Sequence, residues 1–173
     1  IHSLHQAVTA VIGYSLTINI ALGISLGKAF TVPSTGPMGL YPFWQHSLYS
    51  GALIERIIQI MPRQHRPLPG LGFLGGLLHN FGVLLIAQLF KKEATMLRQI
   101  IVANPDKSSV ELERQILGTD HMEIGAWLIR SWNLQAEIQV AVAEHHDELY
   151  NGVHASYARL ALLADRLLKR HDI

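Results

Sequence analysis

Apolar residues recur at helical spacing along most of this 173-residue chain. Ser3 can cap a short helix over residues 4–12, which Gly13 would end. Beyond it Leu16, Ile18, Ile20, Leu22, Ile24 and Leu26 alternate strictly, the period of a strand. Ala21, Leu22, Ser25 and Leu26 also make a helical face, and no second strand of similar quality follows, so this segment too reads as helix. Residues 31–41, with two prolines and two glycines, form a loop. Pro42 suits the first turn of the next helix, over residues 43–61. Trp44, Leu48, Leu53, Ile57, Ile58 and Met61 give that helix an apolar face, with His46 near it. Residues 61–70 hold three prolines and form a second loop.

The next stretch organises the rest. Gly72-Phe73-Leu74-Gly75-Gly76-Leu77-Leu78-His79-Asn80-Phe81-Gly82 sets a His-Asn pair among apolar and glycine residues, in a helix running on to about Phe90. A polar pair in such a setting costs free energy unless it finds partners. Residues 91–103 are amphipathic through Ala94, Leu97, Ile100 and Ile101, and Asn104-Pro105 breaks the chain. Ser108-x-x-Glu111 is a capping box opening a helix to Leu117, with Gly118 as its stop. Asp120-x-x-Glu123 is a second box, opening a helix over residues 121–131. A further helix is expected from Gln135 to about His146, a turn over residues 147–153, and a last helix over residues 155–170 carrying Asp165. The fold class is all-α with short connecting loops.

Composition narrows the function classes. With 49% hydrophobic and 16% charged residues the chain suits one compact domain with a sizeable core. A formal charge of +1 leaves no basic stripe for nucleic acid. The absence of cysteine removes disulfides, thiolate metal sites and a cysteine nucleophile, and is consistent with a cytoplasmic location. Residues 1–27 and 70–90 are uncharged and long enough to cross a bilayer. Their density of histidine, serine, threonine and asparagine fits helices buried in protein better than helices facing lipid. No membrane partner is expected. Ten histidines in 173 residues is high, and histidine is the commonest metal ligand and acid–base group.

Polar residues in otherwise apolar helices come in the order His46, His79-Asn80, His121, His145-His146, Asp165. Each alone has an ordinary explanation: His121 beside the capping Asp120, His145-His146 at a solvated helix end, Asp165 paired with Arg166 or Arg159. Together they form a site only in a fold that brings five helices to one place.

That order resembles the ligand pattern of the HD phosphohydrolases, most of all their HD-GYP branch. The chain is more similar still to the HDOD family, the regulatory relatives of those enzymes. The likeness is carried by Ile1-x-Ser3-x-x-x-Ala7 with Gly13, by Phe43-Trp44-Gln45-His46-Ser47, and by the glycine-rich stretch ending His79-Asn80-Phe81-Gly82. It continues through Glu113 to Gly118, His121 and Gly125, then Trp132-Asn133-Leu134, His145-His146 and Leu163-Ala164-Asp165. The resemblance implies an HD-domain-like helical bundle over residues 1–173, lacking the N-terminal helical lobe that precedes the Ile-x-Ser motif in the family. It further implies that Ile18, Leu22 and Leu26 would be exposed unless an upstream segment or a second copy of the chain covers them, so a homo-oligomer is one expectation.

The departures from the pattern bear on chemistry. In the catalytic relatives an aspartate follows the histidine that is His79 here, and its charge holds or bridges metal ions. Asn80 is nearly the same shape but neutral. Val83 replaces a lysine common in active relatives, and no Gly-Tyr-Pro triplet follows Asp147. The resemblance therefore implies a vestigial metal site at His46, His79, Asn80, His121, His145, His146 and Asp165, with no catalytic residue. No cofactor is expected beyond room for a single divalent metal ion. The function implied is a non-catalytic regulatory domain of bacterial signal transduction, acting through a protein partner, a fused signalling domain or a bound ligand such as a nucleotide. The alternatives are a metal-dependent phosphohydrolase and a nucleotide-binding sensor.

Overall fold

The computed structural model describes residues 39–68 and 70–171, together with Ala21 and Ser25, and among them regular structure is entirely helical. Of the helix expected from Leu16 only Ala21 and Ser25 are described, both helical, while the helix expected over residues 4–12 and the exposure expected of Ile18, Leu22 and Leu26 lie outside the described residues.

Helix α1 spans Leu40–Ile60 and a short 3-10 turn follows at Arg63–His65. Then come α2 (Leu71–Leu78), α3 (Phe81–Leu89), α4 (Lys91–Ala103), α5 (Ser109–Leu117), α6 (His121–Ser131), α7 (Ala136–Ala143) and α8 (Ala155–Arg170). Helices α4, α5, α6 and α8 fall where apolar period and stop signals put them. Gly118 closes α5 at φ 74°, a conformation that suits glycine. Asp120 caps α6 by accepting from the Glu123 amide, whereas Ser108 makes no such side-chain bond at the start of α5.

Three boundaries differ from the sequence reading. Helix α1 begins at Leu40, inside the expected loop, because a helix tolerates Pro42 anywhere in its first turn. The expected single helix to Phe90 is interrupted: Asn80 leaves helical geometry at φ −97°, ψ 12°, and α3 starts afresh after it. Helix α7 stops at Ala143 instead of running to His146, and His145 Nδ1 then donates to the Val142 carbonyl 2.9 Å away. Side chains that bond a nearby carbonyl compete with helix continuation at a helix end. Both interruptions fall at site histidines.

The core gathers around α2 and α3. Leu77, Leu78 and Phe81 are fully buried and pack with Phe73, Leu74, Leu84, Leu128, Ile129, Ile138 and Val142. Phe43, Trp44 and Trp132 meet the Phe81 ring edge-on, with centroids 5.4, 5.8 and 6.1 Å away. Such aromatic contacts stabilise beyond their area burial. A second cluster joins Ile54 and Ile58 of α1 to Leu160, Ala161 and Ala164 of α8. Leu71–Leu89 is apolar and long enough to cross a membrane, but two-thirds of it is buried inside the protein, where it serves as core. Close approach of α1 and α2 depends on Gly76: a Cβ there would sit 2.8 Å from the Gly51 amide nitrogen.

Candidate functional site

The helices around this core bring His46, His79, His121, His145, His146 and Asp165 into one run of adjoining side chains. The rings of His46 and His79 lie 5.6 Å apart, His79 and His145 5.0 Å, and His121 and His145 5.2 Å. His146 closes on both neighbours, 4.3 Å from His145 and 5.1 Å from His121. Asn80 stands in the wall of a cleft that His121 and His146 also line.

The run divides into two groups. In the first, His46, His79 and Asp165 present ligand atoms within 4.8 Å of one another; in the second, His121, His145 and His146 do so. Asp165 Oδ1 lies 3.3 Å from His46 Nε2 and 4.0 Å from His79 Nε2, while Oδ2 receives the Lys169 ammonium at 2.8 Å. At 4.0 Å the His79 contact is electrostatic rather than a hydrogen bond. Burial by itself would raise the Asp165 carboxyl, but its interactions with His46 and His79 and the Lys169 charge outweigh this and hold it well below the usual carboxylate range.

Backbone and carboxylate partners set the histidine tautomers. His79 Nδ1 faces the Gly76 carbonyl at 2.7 Å and His145 Nδ1 faces that of Val142 at 2.9 Å, so each carries its proton there. His121 Nδ1 donates to Glu113 Oε2 at 2.7 Å, and the His121 amide donates to the same oxygen at 2.8 Å. All three rings therefore turn Nε2 toward the shared interior. The His121 and His145 Nε2 atoms meet at 3.2 Å. Two neutral rings with these tautomers would set lone pair against lone pair, a repulsion that a proton or a metal cation between them removes. Orientation of an imidazole by a carboxylate or carbonyl on its far nitrogen is a usual feature around metal-binding histidines. Nε2 of His121, Nε2 of His145 and a ring nitrogen of His146 therefore suit one borderline divalent cation.

Burial pushes the imidazoles toward their neutral forms. His79 is lowered by desolvation, more than the attraction of Asp165 raises it. His145 is lowered well below its ordinary value by desolvation and by neighbouring histidines, and His146 falls to about 4 for the same reasons. The unfolded chain takes up a proton on each near pH 6.5 and the folded chain does not until lower pH. Stability is thus full above pH 6.5 and is lost as pH falls from there, for His146 by about 1.4 kcal/mol per pH unit until about pH 4. The depressed Asp165 acts in the same direction, but only below its ordinary value of 3.8. Thermal melts of chelator-treated protein should fall steadily from pH 7 to pH 5; a flat profile would contradict the buried neutral histidines.

A sequence profile of the HDOD domain matches residues 1–148. The chain belongs to the HDOD domain family. Three solved structures share its fold. A protein from Marinobacter aquaeolei VT8, provisionally named a signal transduction protein, is 35% identical with a TM-score of 0.89, over 98% of this chain and 38% of its own. One from Shewanella amazonensis SB2B, provisionally named a phosphohydrolase, is 19% identical with a TM-score of 0.81, over 99% of this chain and 61% of its own. An HDOD domain protein of unknown function from Geobacter sulfurreducens is 24% identical with a TM-score of 0.71, over 89% of this chain and 49% of its own. This chain thus spans less than two-thirds of each of them. No match occurs among curated proteins. At 19 and 24% identity the last two speak to fold alone.

Two residues of this HDOD site escaped the sequence reading. Glu113 belongs to a recognised motif, yet its role as the acceptor that orients His121 is visible only in three dimensions. Lys169 takes the place expected of Arg166 or Arg159, which pair with Glu148 and the Tyr150 carbonyl instead; its i+4 spacing from Asp165, at which opposite charges meet, was the signal that could have found it.

Proposed function

We propose that this HDOD domain is a non-catalytic, cytoplasmic module of bacterial signal transduction that works by binding. The observation that carries this reading is the placement of Asn80. It stands in the cleft wall with His121 and His146, follows His79 where the catalytic relatives carry an aspartate, and offers a neutral carboxamide. Asp165, the one carboxylate in the two histidine groups, already neutralises Lys169. A pair of divalent cations activating water requires shared anionic ligands, because their charge offsets the desolvation of the ions. The name of the Marinobacter relative supports a signalling role. The signal would pass to a protein partner or to a further domain of a longer polypeptide.

The test is hydrolysis of bis(p-nitrophenyl) phosphate and of cyclic dinucleotides with added manganese or iron. No turnover is expected. Metal-dependent turnover that disappears in His79→Ala would overturn the proposal.

A second reading, a single structural cation on His121, His145 and His146, is favoured by the facing Nε2 atoms. Such an ion would supply Lewis acidity toward a ligand oxygen, while the three imidazoles fix α6 to the turn after α7. Calorimetric titration of chelator-treated protein with zinc should then give one site per chain, absent in His121→Ala. The Asn80→Asp change should tighten that binding by about tenfold, worth about 1.4 kcal/mol, by restoring an anionic ligand. Unchanged zinc affinity in Asn80→Asp would mean that residue 80 faces away from the ion.

A further inference from the structure

The cleft beside the histidines has features that neither cation binding nor hydrolysis requires. It encloses about 340 Å³, at the small end of the range for ligand pockets. Helices α3 and α4 give it an apolar wall of Val83, Ile86, Leu97, Ile101 and Val102, while the polar lining comes from Asn80, from Arg98 of α4, and from α5, α6, α8 and the turn after α7. A site devoted to phosphate esters would be expected to collect positive charge. Here Arg98 and Lys169 stand against Glu113, which leaves one net positive charge among the described lysine, arginine, aspartate and glutamate side chains on the lining. Lys169 is in addition engaged by Asp165.

The Arg98 guanidinium and the Asn80 carboxamide form no hydrogen bond or ion pair among the described residues. Arg98 follows Leu97 on α4, directly beside the apolar wall. A guanidinium offers a planar fork of donors matched to a carboxylate. An amide adds a donor and an acceptor without charge. Resting on the reading of the domain as a binding module, we infer that the cleft takes a monoanionic ligand with an apolar body, an acyl or aryl carboxylate. Its body lies on the Val83 to Ile101 wall and its charge is met by Arg98. A dianionic phosphate would face Glu113 and the nearby Asp165 with only one surplus cation to offset it.

Calorimetric titration of the chain with octanoate and with 4-phenylbutyrate tests this, with 1-octanol and adenosine monophosphate as controls. Saturable binding of at least one carboxylate is expected, weakened about tenfold in Arg98→Ala, the loss of one charge-assisted contact. Arg98→Lys should retain part of it, and Ile101→Asp should abolish it without lowering the thermal melt, since that position is half-exposed. Absence of saturable binding by either carboxylate, equal binding of octanol, tighter binding of the nucleotide, or an unaffected Arg98→Ala variant would overturn the inference. Failure here with no phosphodiesterase turnover leaves the non-catalytic reading standing. Turnover with carboxylate binding intact would remove that reading alone.

Discussion

Gly82→Ala is expected to cost the domain at least about 3 kcal/mol, at or beyond the upper end of what overpacking a core usually costs. A Cβ on Gly82 would fall inside the van der Waals radius of the His121 carbonyl oxygen, with the His121 Cα close behind. Those are backbone atoms at the start of α6 and cannot rotate away as a flexible side chain would. Gly125 packs reciprocally on the same spot, where a Cβ would lie 3.2 Å from the Gly82 amide nitrogen. To relieve the clash α3 and α6 must separate, which moves His121 away from Glu113 and His145. Urea denaturation of Gly82→Ala should show a large fall in midpoint, with loss of any cation binding at the histidines. Gly118→Ala is the control: its Cβ meets nothing within 4 Å, and only its φ of 74° carries a penalty, about 1–2 kcal/mol. Equal stability of Gly82→Ala and the parent chain would mean that the α3–α6 contact is looser than described.

The second large effect is expected at Asp165. Removing the carboxylate in Asp165→Ala takes away the acid that faces His46 Nε2 at 3.3 Å and leaves a gap beside the buried His79 ring. Lys169 loses its partner too, but at 57% exposure its ammonium can turn to water, so its share of the loss is small. Leaving buried polar groups unsatisfied costs about 1–3 kcal/mol. Asp165→Asn keeps the shape and one acceptor and should lose less. The order parent, Asn variant, Ala variant in urea midpoint is the outcome to check. A midpoint for Asp165→Ala equal to the parent would show that the carboxylate does not join α1, α2 and α8 at all.

Helix positions were largely legible along the chain because their causes are local. The Asp120 cap lies within a few residues of the helix it begins, and Gly118 directly follows the helix it ends. The apolar period of α4 and α8 records which face meets the core. The break at Asn80 was not legible, since leucine, glycine and phenylalanine on both sides continue a helical pattern. What turns the chain there is the packing of α3 against α6 at Gly82, a contact nearly forty residues away in sequence. The early end of α7 has the same character. Its residues favour helix, yet His145 finds the Val142 carbonyl and the buried ring of His121.

The chain alone also offered the candidate residues that adjoin in the fold, because unusual polar residues in apolar helices are conspicuous against their neighbours. It also set a neutral side chain at position 80, since asparagine carries no charge in any fold. Only tertiary structure divided the residues into an Asp165 group and an all-imidazole group. It alone assigned Glu113 to His121, turned three Nε2 atoms inward, and set Arg98 and Asn80 on one cleft with no partner among the described residues. Tautomer, orientation and ion pairing depend on distances between atoms of different helices, and those distances exist only once the helices have packed.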